Sequence, residues 1–281
     1  MPETENRIQS AGVVGLGEIG GGIAGNLMTA GVALSVCDIR EEATDPYREG
    51  ARVAGSPKEV AGACEVVFVA VLNDAQVRTV LEGEDGVFAG AADGTTVVVV
   101  STITSETVTE MREAGATHGV TVVDCGVSGG TQGAADGQLV CMVGGGADEV
   151  DRIRPVLNVF SRLVLHMGPI GTAQRAKLVN NTLLTANIGL AADAIELGRA
   201  LDIDPDMLAR ALQHGTGRSY GLGLFVRTQQ DGLMTAAGWG LLRKDVDLLV
   251  DAASRAGADG HTLVEPAERY LDQSRPEGAE P

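Results

Sequence analysis

Only three of the 21 basic residues in this 281-residue chain are lysines: Lys58, Lys177 and Lys244. Arginine keeps its proton in a protein, whereas a lysine can be tuned into a general acid or base. Asn181 follows Lys177 by four residues, a spacing that projects both side chains from one face of a helix. An amine that exchanges a proton, beside an amide that both donates and accepts, suits proton transfer at a substrate oxygen. Upstream, Gly15, Gly17 and Gly20 form the pattern G-x-G-x-x-G. With 39 glycines in the chain this pattern arises readily by chance, and a second match overlaps it at Gly20, Gly22 and Gly25. Context selects the first, which follows the apolar Val13–Val14 and opens an amphipathic stretch. There the glycines allow a tight turn and let the backbone approach a pyrophosphate at a helix N-terminus. Asp38 comes 18 residues after Gly20, where a carboxylate can hold both ribose hydroxyls of an adenosine. It would repel a 2′-phosphate, which favours NAD over NADP, although Arg40 could reach such a phosphate.

The elements that must position these residues follow from hydrophobic periodicity. Val13–Val14, Ala33–Cys37, Val66–Leu72, Val97–Val100, Val120–Val123, Leu139–Val143 and Leu163–Leu165 read as strands. Unbroken β-branched runs belong to strands covered on both faces. Helices fit between them at Glu18–Ala30, after the Ser56-Pro57-Lys58-Glu59 capping signal, and at Asp148–Phe160. The alternation predicts an α/β fold with a Rossmann-type doubly wound parallel sheet. After Gly168-Pro169-Ile170-Gly171 the pattern turns all-helical, beginning with a helix of roughly 28 residues from Thr172, about 42 Å long. It is apolar nearly all round, so it is expected to be buried in a helical domain or a dimer interface. Further helices are predicted from Asp204-Pro205 and from Lys244 to Ala256, and the polar end SRPEGAEP reads as disordered. The expected domains are 1–168, binding the dinucleotide, and 169–281, all-helical.

Composition bounds the function. The formal charge of −17 disfavours a nucleic-acid partner, because phosphate-backbone binding depends on clustered cations. No apolar run approaches the roughly 20 residues of a membrane span, and the polar start MPETENRIQS does not read as a signal peptide. Cys37, Cys64, Cys125 and Cys141 lie far apart, which suits a reducing, cytoplasmic setting. The four histidines lack metal-ligand spacing, so no metal site is expected.

Four segments together resemble the β-hydroxyacid dehydrogenase family, that of 3-hydroxyisobutyrate dehydrogenase and tartronate semialdehyde reductase. GLGEIGGGIAGNLMTAG at 15–31 resembles the family's cofactor loop, and DCGVSGGTQGAADGQL at 124–139 its substrate loop. GTAQRAKLVNN at 171–181 resembles the catalytic helix, and Arg243-Lys244-Asp245 the C-terminal Lys-Asp signature. The resemblance implies that Lys177 is the general acid/base and that Asn181 orients the reacting oxygen. It also implies that Ser128, Gly129 and Gly130 anchor a substrate carboxylate, with Thr102 and Lys244 joining Gly15, Gly17, Gly20 and Asp38 around the cofactor. Gly126, where relatives usually carry Pro, its neighbour Cys125, and Ala173 in place of a glycine are departures. Gly126 and Cys125 imply a more mobile substrate loop.

The reading is a nicotinamide-dependent oxidoreductase for a small anionic β-hydroxy acid, with the long helix implying a homodimer or homotetramer. An imine reductase shares the glycine loop, but Lys177 speaks against it. A 6-phosphogluconate dehydrogenase-like activity lacks an evident basic cluster for a sugar phosphate. A binding protein that holds a dinucleotide without turnover would tolerate loss of Lys177, which a catalyst would not.

Overall fold

The computed structural model describes residues 8–231 and 235–276. Eight strands form one sheet: β1 Ser10–Val14, β2 Ala33–Cys37, β3 Arg52–Val53, β4 Val66–Val69, β5 Thr96–Val99, β6 Thr121–Ser128, β7 Leu139–Gly144 and β8 Ser161–Gly168. Their order is β3-β2-β1-β4-β5-β6-β7-β8, and every neighbouring pair is parallel except β6 and β7. The helices are α1 Glu18–Thr29, α2 Pro57–Ala61, α3 Asp74–Glu82, α4 Val87–Gly90, α5 Ser105–Ala116, α6 Gly130–Ala135, α7 Ala147–Leu157, α8 Thr172–Ala200, α9 Pro205–His214, α10 Tyr220–Asp231, α11 Ala236–Ala256 and α12 His261–Gln273.

Strand side chains alternate between faces, so the valine runs feed two cores. Val13, Val36, Phe68, Val98 and Val123 belong to one, while Val14, Val67, Val69, Val97, Val99 and Val122 belong to the other. This is the doubly wound arrangement that the β-branched runs predict. The strand predicted at Val120–Val123 is longer than expected. After Asp124 it pairs with β7 in antiparallel register, Ser128 opposite Val140, and stays extended through Ser128.

The chain divides into two compact units, Met1–Lys177 and Leu178–Pro281. The sequence puts the boundary at 168/169; the structure carries the first turns of α8 with the sheet because Asp124 and Ser101 hold them there. The second unit is helical, built around Ile188, Ile195, Leu222, Phe225 and Tyr270, with Trp239, Val246 and Leu271 in an adjoining cluster. The Trp239 indole donates to the Leu271 carbonyl at 2.8 Å. Of the two settings expected for α8, the helical unit covers only part of the helix: Val179, Leu183, Leu190 and Leu197 form a stripe that is 47–62% accessible in the single chain. The helix expected to begin at Lys244 begins at Ala236, where the Thr235 hydroxyl caps it by accepting from Gly238 N–H. Lys244 therefore stands mid-helix. The tail predicted to be disordered lies, from residue 277 on, outside the described residues. Among the described residues no helix is long and apolar enough to cross a membrane.

Candidate active site

The glycine loop joins β1 to α1 and could be built from few other residues. Gly15 has φ +91°, and a Cβ there would stand 2.4 Å from the Ala70 carbonyl oxygen. A Cβ on Gly20 would stand 1.9 Å from the Gly15 oxygen. The tight turn therefore requires glycine at both places. Gly17 differs: a Cβ there would meet nothing within 4 Å, and as the N-cap of α1 it offers no side-chain hydrogen bond. The start of α1 thus has neither a side-chain cap nor crowding at Gly17, a cradle that fits the pyrophosphate of a dinucleotide.

Asp38 follows the end of β2 and its carboxylate faces the same loop. Oδ2 accepts from Leu16 N–H at 2.6 Å, while Oδ1 accepts from Arg40 N–H at 2.9 Å and Arg40 Nε at 3.2 Å. Burial works against the charged form, but the hydrogen bonds from Arg40 and Leu16 outweigh it and hold Asp38 below the usual carboxylate range. Arg40 is thus paired to Asp38 in this structure. Ile39 between them is 98% exposed.

On the other side of the switch in strand order, Ser101 and Thr102 follow β5. The two part company: Ser101 is buried in the framework, its hydroxyl accepting from Val71 N–H and donating to Val69 O. Thr102 is half-buried. Ser128 ends β6, half-buried, and Gly129 and Gly130 follow it, exposed, with φ of +137° and +65°. Gly126 is no part of a mobile loop. It is a buried strand residue opposite Met142, and a Cβ on it would stand 2.7 Å from Lys177 Cβ. The absence of a side chain at 126 lets α8 settle onto β6 at Lys177.

Lys177, half-buried, ends the first unit, and Asn181 lies one turn further along the same helix, in the second. Asn181 Nδ2 donates to Asp245 of α11 at 2.5 Å, and its Oδ1 accepts from Asn180 Nδ2 at 3.0 Å. Asp245 is buried; its other oxygen makes no hydrogen bond and stands 3.5 Å from Lys244 Nζ. Within the second unit the structure therefore brings Asn181, Lys244 and Asp245 together. Within the first it brings together the glycine loop and Asp38, and Lys177 with β6.

Sequence reasoning did not single out Asp124, Gln174 or Asn26. Asp124 and Gln174 are both fully buried and bond to the first turn of α8 and to the segment around Thr102. Asn26 of α1 donates to the Ala134 and Ala135 carbonyls, tying α1 to α6. Polar side chains inside otherwise apolar elements were the available signal, because such groups are buried only with partners. Among the described residues no group of three or more His, Cys, Asp or Glu side chains could hold a metal ion.

Comparisons with known proteins agree with this layout. The family model described as the NAD binding domain of 6-phosphogluconate dehydrogenase matches residues 10–168. The one described as NAD-binding of NADP-dependent 3-hydroxyisobutyrate dehydrogenase matches residues 171–278. A 3-hydroxyisobutyrate dehydrogenase of Pseudomonas aeruginosa is 35% identical over 213 residues, covering 75% of this chain and 72% of that protein. A 2-(hydroxymethyl)glutarate dehydrogenase of Eubacterium barkeri is 33% identical over 212 residues, with coverage of 75% and 70%. The solved structure of Mycobacterium tuberculosis 3-hydroxyisobutyrate dehydrogenase with L-serine superposes with a TM-score of 0.85 at 25% identity, covering 97% of this chain and 96% of that one.

Proposed function

The chain belongs to the β-hydroxyacid dehydrogenase family, and from that premise we propose that Lys177 moves the hydroxyl proton while Asn181 orients the oxygen that carries it. The reaction is the nicotinamide-dependent interconversion of a small β-hydroxy acid and its carbonyl product. A bound nicotinamide would supply the acceptor for the hydride that leaves the carbinol carbon of the substrate. The protein must then accept the hydroxyl proton, and in the reverse direction return one. Lys177 is suited to this because it is half-buried on a helix seated directly against β6. Asn181 is suited to orientation because Asp245 and Asn180 hold its amide from two sides.

Gly15, Gly17 and Gly20 would cradle the pyrophosphate and Asp38 the adenosine ribose, with Thr102 and Lys244 completing the cofactor contacts. Ser128, Gly129 and Gly130 would hold the substrate carboxylate through a hydroxyl and bare backbone amides. NAD is the preferred cofactor: Asp38 keeps its charge, and its pairing with Arg40 leaves that guanidinium engaged. The exposed stripe on α8 supports a homodimer or homotetramer, and the four buried thiols suit a reducing, cytoplasmic setting. The single observation that carries the reading is the close approach of Lys177 to β6, two residues from Ser128 in strand register.

The test is Lys177→Ala, assayed at the reduced-nicotinamide absorbance with 3-hydroxyisobutyrate, L-serine and 2-(hydroxymethyl)glutarate. Turnover should fall by about two to four orders of magnitude while NAD affinity is nearly unchanged. Wild-type turnover in the variant would remove Lys177 from the reaction.

A further inference from the structure

The first turn of α8 is held in an unusual way. Its N-cap position is Gly171, which has no side chain to offer, and the cap comes from Asp124 in β6, 47 residues earlier. One carboxylate oxygen accepts from Gly171 N–H at 2.8 Å and the other from Gln174 N–H at 2.9 Å. Other helices of this protein use a local hydroxyl or carboxylate for that task, as Ser56, Thr104 and Asp204 do. A local cap would satisfy the same donors without burying a charge, which is costly. What only the distant cap does is register the helix to the strand.

Gln174 adds a second link, one turn before Lys177. Its Oε1 accepts from Ile103 N–H at 3.1 Å and its Nε2 donates to Ser101 O at 2.9 Å. These two peptide groups flank Thr102, so one fully buried amide holds both sides of that residue. Strand alternation completes the arrangement. Asp124, Gly126 and Ser128 share one face of β6 at intervals of about 6.8 Å. The first caps α8, the second touches Lys177, and the third is the candidate carboxylate contact.

We propose that Asp124 and Gln174 are positioning residues that lock the first turn of α8 to the ends of β5 and β6, setting Lys177 relative to Thr102 and Ser128. The proposal rests on the reading of Lys177 as the proton-transfer group. A misplacement of about 1 Å at such a group can cost about a hundredfold in rate.

The experiment is a double-mutant cycle in the full-length protein with Gln174→Met, which keeps the side chain's shape and removes both of its hydrogen bonds, and Lys177→Ala. Asp124→Asn is run in parallel; should it fail to fold, Gln174→Met carries the test. Oxidation of 3-hydroxyisobutyrate or L-serine by NAD is followed. Gln174→Met should lower kcat roughly ten- to a hundredfold, with KM for NAD within about twofold. In the Lys177→Ala background it should cost less than about threefold, because residues that act through one another are not additive. Equal losses in both backgrounds would overturn the positioning role. A second readout needs no turnover: with three lysines in the chain, 13C-dimethylation yields three side-chain NMR signals. Gln174→Met should displace the Lys177 signal and leave those of Lys58 and Lys244 in place; an unmoved Lys177 signal also overturns the proposal. If Lys177→Ala instead retains full turnover while the signal moves, the positioning stands and the catalytic reading fails.

Discussion

Asn26 offers the sharpest test of how α1 is joined to α6. Its Nδ2 donates to Ala134 O at 2.8 Å and Ala135 O at 3.2 Å in α6, and to Gly22 O at 2.8 Å within α1. Asn26→Ala removes two links between the helices, each worth roughly 1 kcal/mol, for a loss of about 2 kcal/mol. In a chain of this size that lowers Tm by about 4–8 °C. Asn26→Asp is nearly isosteric yet should be worse, since it turns a donor into an acceptor facing three carbonyl oxygens. Leaving those groups unmatched adds about 1–3 kcal/mol at pH 8. The same surroundings favour the protonated acid, so the new carboxyl titrates higher in the folded than in the unfolded chain. Its penalty then grows as pH rises from about 4, the unfolded value, through the folded value. Thermal unfolding of the three proteins at pH 5 and pH 8 should show Asn26→Asp approaching Asn26→Ala at the lower pH and falling below it at the higher. Because α6 begins at Gly130, KM for the hydroxy acid should rise more than that for NAD. Asn26→Asp as stable as Asn26→Ala at pH 8 would show that the amide does not face those carbonyls.

Three other outcomes are expected. Asp38→Ala should weaken NAD about tenfold or more and NADP less, because Arg40 is released for a phosphate; titration of both cofactors by fluorescence checks this, and a greater loss for NADP reverses the preference. Gly20→Ala, whose Cβ would stand 1.9 Å from the Gly15 oxygen, should lower both Tm and dinucleotide affinity, and an unchanged Tm would contradict the close turn. Glu149 pairs with Arg112 through both oxygens at 2.7 and 2.9 Å, which holds its carboxyl below the usual range. The stability it confers is present above about pH 4.5 and lost as pH falls through the folded value, so Glu149→Gln should lower stability at pH 7 by roughly 1–3 kcal/mol and flatten the acid limb of a pH–Tm profile.

Much of this fold is legible in the sequence because local chemistry and tertiary environment agree. The valine runs could sit only in strands covered on both faces, and the two cores divide them by alternation. Ser56-Pro57-Lys58-Glu59 starts a helix by its own hydrogen bonds, as the Ser56 and Glu59 contacts show. The readings that needed correction depend on partners distant in the chain. The extension of β6 through Ser128 comes from β7, which no local signal at 124–128 announces. The helix expected from Lys244 starts instead at Ala236, on the Thr235 cap, and its earlier turns bury Trp239 in the second unit. At the site the same division holds. Lys177 and Asn181 are visible from type and spacing, whereas Asp124 and Gln174 act through contacts spanning 47 to 73 residues.

The strong negative charge poses a last physical question, since both the dinucleotide and the substrate are anions. Arginines are numerous, but many of them are neutralised locally: Arg40 by Asp38, Arg78 by Glu110, Arg112 by Glu149, Arg243 by Asp247 and Arg269 by Asp193. Guanidiniums committed to carboxylates cannot also supply the field that gathers an anion. The candidate anion contacts are instead backbone N–H groups, at the uncapped start of α1 and at Gly129 and Gly130, together with the Ser128 hydroxyl. Such donors are fixed by the fold and carry no charge to be neutralised by neighbouring acids, so they recognise an anion through geometry more than through net potential. Binding on this basis should depend only weakly on ionic strength.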